Sequence, residues 1–444
     1  MDSAKRMLLS RAVAAALLLA PAAASAQAIV TDVLDAADGD DPFDAAIEVR
    51  YQFHSHKADL TREFPCYRTD GNAACTAKDL VLFGNELTAS RTIHTMTISP
   101  RIGLYHDLEL ALDLPIILFD QTKLDFATGV SDATNSSVDK AGDAAGSLFL
   151  VPNVGQQRSG FGDMDISLKY APYNYQRDHT EPTWVLGLTY TAPTGKVRKT
   201  TNTDVGQGIH ALKIFTTISR RALPWIEPYF DFHGVFRFPA SDTLFKDGGP
   251  TQTLVSPGNS MGLMLGTEFL PWEDNDKDAR VEIDIGMLAD YFFEGREYTD
   301  LFEALGGSQC NANPACLLTA HTLDVKGKQA SPSRTDGITD VEHYANFGTW
   351  IGVHYQPVKY IQFGATFAVN WQTDHLLTNA DPGKDLDGDG QVLETGARGN
   401  EFNPVYVQSL DAPAGDRELS GSASRFRQEN TTDIMFQFHL TGKF

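Results

Sequence analysis

Apolar and polar residues alternate along this chain with a period of two, in about twelve separate stretches. No stretch is apolar for the roughly 20 residues that a membrane-crossing helix needs. A period of two marks an extended strand whose two faces meet different surroundings. The last stretch, 431–444, shows it most sharply. Ile434, Phe436, Phe438, Leu440 and Phe444 share one face, while Met435, Gln437, His439 and Lys443 fill the other. The same pattern runs through Ile47 to Phe53, Ile98 to Leu104, Leu108 to Ile116, Met164 to Tyr170, Trp184 to Tyr190 and Leu212 to Ile218. It continues through Ile226 to Phe236, Met261 to Phe269, Val281 to Phe293, Phe347 to Tyr355 and Ile361 to Trp371.

The connections between these stretches decide the fold class. Long ones (54–88, 120–161, 193–208, 239–260, 294–343, 373–429) alternate with short ones (106–107, 172–182, 220–225, 271–279, 356–359). An even strand number, with long loops at one end and tight turns at the other, is the pattern of a transmembrane barrel. A soluble sandwich has no reason to lengthen every second connection. The chain therefore reads as all-β: a transmembrane antiparallel β-barrel of about twelve strands over residues 45–444, with short periplasmic turns and long extracellular loops. Both termini would be periplasmic, and the site would be the outer membrane of a Gram-negative bacterium. Lipid is then one partner. The barrel assembly machinery, which reads an amphipathic last strand ending in an aromatic residue, is another. Tyr51, Phe53, Tyr170, Trp184, Tyr190, Trp225, Tyr291, Phe293, Tyr355, Tyr360 and Trp371 lie toward strand ends and are expected to form interfacial girdles.

The start fits export. Lys5, Arg6 and Arg11 precede an apolar run, and Ala24-Ser25-Ala26 supplies a small-residue cleavage site, so residues 1–26 read as a signal peptide. Residues 27–44 would then be a periplasmic N-terminal segment or a partial plug; the acidic run Asp38, Asp40, Asp41 and Asp44 favours a loose tail. A formal charge of −22 argues against nucleic acid as a partner, which needs a basic footprint. The four cysteines form two close pairs, Cys66 with Cys75 and Cys310 with Cys316, read as disulfide-stapled loops. No histidine stands at zinc-ligand spacing beside either pair.

If the apolar faces meet lipid, the polar faces line the lumen. Glu48, Arg50, Glu109, Asp113, Asp163, Asp165, Lys169 and Lys213 lie there, followed by Glu227, Asp231, His233, Arg237, Glu282, Asp284 and Asp290. Two readings stand. The charges can pair across a filled barrel of structural or surface-interaction type. Alternatively they line a porin-like pathway for a small-molecule solute, where the carboxylate surplus favours cationic or neutral cargo. Asp385, Asp387, Asp389 and Gln391 have the alternate-oxygen spacing of a calcium loop, with Gly390 at the turn, although position 12 is Gly396 instead of an acid. Calcium is the one cofactor this suggests. A serine-histidine pair on the outer wall would indicate an enzyme. His94, near Ser90 and Ser99, and His439 have no such partner at strand spacing, and no catalytic residue is assigned.

The run Gly160-Phe161-Gly162-Asp163-Met164-Asp165-Ile166-Ser167-Leu168-Lys169-Tyr170, followed by Leu186 to Gly195 ending in Pro193-Thr194-Gly195, resembles a known signature. It is similar to the GhGD…LKY and PTG motifs of outer-membrane proteins grouped with the meta-pathway of phenol degradation. That resemblance implies a barrel transporter for aromatic or other hydrophobic compounds. Read for its physics, the motif places turn-forming glycines at two barrel corners.

Overall fold

The structure is a computed structural model, described over residues 29–36, 44–65, 81–132, 149–238, 255–274, 277–307, 337–377, 384–385, 401–402 and 426–444. Twelve strands form its wall. They are β1 Ala45–Pro65, β2 Val81–Tyr105, β3 Leu108–Phe126, β4 Met164–Tyr173, β5 Thr183–Ala192, β6 His210–Ser219, β7 Ile226–Phe238, β8 Ser260–Asp274, β9 Ala279–Phe292, β10 Tyr344–Val358, β11 Ile361–Gln372 and β12 Phe426–Lys443. Each pairs antiparallel with the next. β12 returns to β1, with Leu440 opposite Val49 and Phe436 opposite Phe53, so the ladder closes on itself. Closure leaves no strand edge unpaired, which is the condition for β-structure to sit in hydrocarbon.

Polarity is inside out. Ile214 is 50% exposed, Phe438 55% and Met287 59%, whereas Glu109 is fully buried and Glu227 and Glu282 nearly so. In water each such apolar side chain would forfeit roughly 1.5–3 kcal/mol of burial. Whole rows of them on the outer wall therefore require lipid. Aromatic residues flank the belt: Tyr170, Trp184, Trp225, Tyr355 and Tyr360 near the rim that carries the chain termini, Tyr291, Phe293 and Trp371 near the loop-bearing rim. Tyr51 and Phe53 depart from the expected girdle. They stand level with Ala365 and Phe367 halfway along β11, because both rows meet through Phe438 and Phe436.

The strands reach further than their alternation suggested. Residues 54–65 and 81–88 belong to β1 and β2, and β3 runs to Phe126. The reason is a reversal of polarity along the same strands. Beyond His56 the inward face turns apolar, through Ala58, Leu60, Leu87, Ala89 and Leu124, while Ser55, Lys57, Asp59 and Ser90 point out. Above the lipid belt the outer face meets water and the inner face becomes a core.

That upper core packs around a helix, α1 (Phe302–Gly306), carried inward by the β9–β10 connection. Leu301, Ala304 and Leu305 meet Leu60, Leu87, Leu124, Leu377 and Phe426. The barrel is thus capped from within by an apolar cluster beneath its loop-bearing rim. Residues 1–26, read as a signal peptide, the four cysteines and Asp387, Asp389 and Gln391 lie outside the described residues. Of the calcium-like loop only Asp385 falls within them, in a short ladder pairing it with Glu401.

Lower down, one half of the barrel is filled by rings, each seated on a glycine directly across the ladder. Phe215 faces Gly187, Tyr229 faces Gly266 and Trp350 faces Gly286. A Cβ at any of these glycines would overlap the ring. Gly286→Val should therefore lower stability by about 1–3 kcal/mol through overpacking, seen as a lower temperature for loss of heat-modifiable gel mobility. Adding Trp350→Ala should recover part of that loss relative to Gly286→Val alone; strictly additive losses would refute the pairing.

Candidate functional site

All fifteen charged or histidine positions read as lumenal lie inward of the wall or at its inner corners, and the carboxylates among them are engaged. At the terminal end Glu109 accepts Arg101 Nε at 2.9 Å and lies 3.3 Å from Lys169, and Glu48 accepts Arg50 Nε at 2.8 Å. Glu282 lies 2.6 Å from Arg280, and Ser219 donates to Glu227 at 2.7 Å. At mid-height Asp284 accepts Tyr229 Oη at 2.7 Å and Trp350 Nε1 at 2.5 Å. Asp231 accepts Thr217 Oγ1 at 2.6 Å and pairs with His233, whose other nitrogen lies 3.2 Å from Asp290. Ser99 donates to Asp113 and Thr191 to Asp165. Lys213 lies over the Phe215 ring, and Arg237 donates to Gly258 O at 2.6 Å. A buried charge persists only when paired and hydrogen-bonded. The surplus of lumenal acids is therefore largely spent on the wall itself.

The N-terminal segment adds to the terminal end. A 3₁₀ turn, Ile29–Thr31, brings Thr31 Oγ1 to 2.8 Å from Ser219 Oγ, and the Leu34 amide donates to Glu109 Oε2 at 3.0 Å. Val33 is buried with Ala171 and Val185. Residues 30–35 thus lie inward at this mouth, not out in a loose tail. Burial opposes the Asp32 charge, but Lys443, Arg101, Arg280 and Lys169 outweigh it and hold the carboxyl down to about 2. Because that value lies below the ordinary 3.8, the contact is complete above about pH 4 and fades as pH falls through about 2. Asp32→Asn should make residues 27–44 more accessible to protease at pH 7; unchanged cleavage would count against an electrostatic anchor.

Between this end and the cap lies a cavity of about 430 Å³, lined from β1 round to β7. Ile93, Pro115, Ile117, Val205, Ile209 and Val235 give it an apolar wall, and Gln52, His54, Arg91, Asp163, Asp165, Thr191, Arg198 and Arg237 its polar points. Under the cap, Arg91 holds Asp120 through two bonds of 2.7 Å, and Arg198 Nη2 reaches the same carboxylate at 3.2 Å. Burial and the like charges of Arg91 and Arg158 push the Arg198 guanidinium down to about 10 despite Asp120. Arg158 binds Glu303 of α1 and the carbonyls of Lys199 and Asp204. His56 bridges Asp300, just before α1, and Asp433 on β12, at 2.9 and 2.8 Å. Asp300 sits below the ordinary carboxylate value: its burial is outweighed by His56 and Arg91.

Sequence reading missed Asp32, His56, Arg91, Asp120, Arg158, Arg198, Asp300, Glu303 and Asp433. Most of these lie in segments taken for loops or a tail. A cluster of arginines flanking those segments was the available signal.

The two halves of the GFGD and PTG run meet in space. Asp163 accepts the Gly195 amide and the Gln207 amide, each at 2.9 Å, while Thr194 Oγ1 receives the Met164 amide at 3.0 Å. Gly160 at φ +149° takes a conformation that suits glycine. The motif is a corner joint that closes the short strands β4, β5 and β6 beside the cavity. His94 faces outward, where the Tyr51 hydroxyl lies 2.6 Å from Nδ1, and Ser99 faces inward onto Asp113. The two are on opposite faces of β2, so they form no catalytic pair. Among the described residues no cluster of metal-binding side chains occurs.

No family model matches the chain, and no curated protein matches it either. Among solved structures, it is similar to the COG4313 outer membrane channel from Pseudomonas putida F1, with 10% identity and a TM-score of 0.43 over 90% of this chain and 95% of that one. A FadL homologue from Pseudomonas aeruginosa gives 9% identity and 0.33, covering 90% of each chain. A TodX monoaromatic hydrocarbon channel mutant gives 8% and 0.30, again over 90% of each. Likeness at this level carries no functional inference, and the barrel assignment rests on its own closed ladder.

Asp163→Ala should cost about 1–3 kcal/mol by stranding two amides, measured as a drop in the barrel's melting temperature. A melt identical to wild type would show that the joint is not needed.

Proposed function

We propose that this protein is an outer-membrane channel for small, partly apolar solutes, aromatic compounds among them, with its termini toward the periplasm and its long loops outside. The mid-lumen cavity carries the proposal. At about 430 Å³ it has the size and the mixed apolar and polar lining of a small-molecule site. The solute enters past the α1 cap and leaves by the terminal mouth beside residues 30–35, so both obstructions must shift during passage.

A second reading, a filled structural or surface-interaction barrel, draws on the same obstructions: the apolar cluster around Leu301 and Leu305, and the Asp32–Arg101 contact. Flux separates the two. Purified protein in liposomes should pass benzyl alcohol faster than glucose, and deleting residues 27–36 should raise the rate several-fold. No solute-dependent flux from either form would leave the filled barrel standing.

A further inference from the structure

The cavity is not evenly polar. Its carboxylates are spent: Asp163 on backbone amides, Asp165 on the Thr191 hydroxyl, and Asp120 on two guanidiniums at once. Two of its guanidiniums, Arg91 and Arg198, are not. Each carries five N–H donors. Arg91 gives two of them to Asp120. Arg198 shares one nitrogen between Asp120 and Val205 O, at 3.2 and 3.3 Å, and its Nε is buried without a hydrogen-bond partner. The Arg198 side chain is only 12% exposed, so bulk water has little access to it. Arg158, the third of the group, is held by Glu303 and loop carbonyls and adds positive field without being free to move. Asp120 is the carboxylate that bonds both guanidiniums, and although Asp300 and Glu303 also act on Arg91, a surplus of unmade donors is left at the capped end of the cavity. Ile93, Ile117, Val205 and Ile209 lie beside it.

We propose that the Arg91–Arg198 end of this cavity binds the carboxylate of a small organic monoanion, with the ligand's hydrocarbon body lying along the isoleucine and valine wall. This rests on reading the cavity as the solute site, and it deepens that reading by naming the class of solute. Arg198 supplies guanidinium donors beyond the one nitrogen that Asp120 and Val205 share, and Arg91 the fixed neighbouring charge. An anion takes up donors that Asp120 leaves unused; a cation placed there would face two guanidiniums. A neutral ring gains only the apolar contact. The chain's net negative charge of −22 does not decide the matter, since long-range charge acts on encounter and the choice is made at the buried pair.

Equilibrium binding to the full-length protein in detergent tests this independently of flux. The probes are benzoate, benzyl alcohol and benzylammonium, which share a ring and differ in charge. Benzoate should bind at least about tenfold more tightly than the other two, a difference of about 1.4 kcal/mol. Arg198→Gln should weaken benzoate by about tenfold and leave benzyl alcohol within about twofold, while Arg198→Lys should keep part of the preference. Equal affinity for the three probes in wild type, or a uniform loss of all three in both variants, overturns the proposal. The wild-type series decides even where Arg198→Gln fails to fold. Selective benzoate binding without liposome flux would keep this inference and remove the channel; flux with no discrimination between probes would do the reverse.

Discussion

Everything in this molecule follows from closing a β-ladder in hydrocarbon. A strand in lipid has no water to satisfy its amides, so the pairing of β12 with β1 is a requirement of the fold. Closure then dictates the side chains. Rows such as Val49, Tyr51 and Phe53 must be apolar because they meet lipid, and the alternate rows, carrying Glu48, Arg50 and His54, must turn inward. A barrel of this size therefore acquires charges in a confined space whether or not it transports anything. The fold's first problem is to neutralise them.

It solves that problem differently at three heights. Near the termini it uses ion pairs, reinforced by Asp32 from a separate segment. At mid-height it uses aromatic rings over glycines, with Tyr229 and Trp350 also donating to Asp284. Near the loops the inner face becomes a mainly apolar core around α1, in which buried Arg62 stacks over Phe426. The cavity lies where these three solutions fail to meet. It is bounded by the ring-filled half, by the cap, and by the short strands β4 to β6, which need the Asp163 joint to stay closed. Its arginines belong to the transition from polar lumen to apolar cap. There a charged wall must be anchored to a helix that has only Asp300 and Glu303 to offer.

Much of the architecture was legible because period two survives any detail of packing. All twelve strands, their faces and the alternation of long and short connections could be read from residues such as Ile361, Phe363, Phe367 and Trp371. The upper halves of β1, β2 and β3 were not. Leu60 and Leu87 alternate as regularly as Ile47 and Val49, but they point the other way, since the solvent outside has changed from lipid to water. Alternation records that two faces differ without recording which side is oily. The inward course of residues 30–35 was equally hidden. An acidic tail looks solvated until Lys443, Arg101 and Arg280 are seen to converge on Asp32. The cavity was the least legible feature, since Arg91, Arg198 and Asp120 lie on three separate segments that only closure brings together.

The same geometry bears on how such a lumen keeps its selectivity. Counting acids and bases along the strands suggests a cation-preferring interior, and the count is correct as arithmetic. What a solute meets, however, is the set of groups with bonding capacity left over. Carboxylates accept readily from backbone amides, hydroxyls and indole N–H groups, all abundant in a barrel wall, so Asp163, Asp165 and Asp284 are satisfied locally. Guanidiniums carry five donors each, and here they find carboxylates and the carbonyls of connecting segments, as Arg158 and Arg237 do, for only part of them. Around this cavity the acids are fully engaged before the arginines are. The sign of the charge left facing a cavity can then be opposite to the sign of the total.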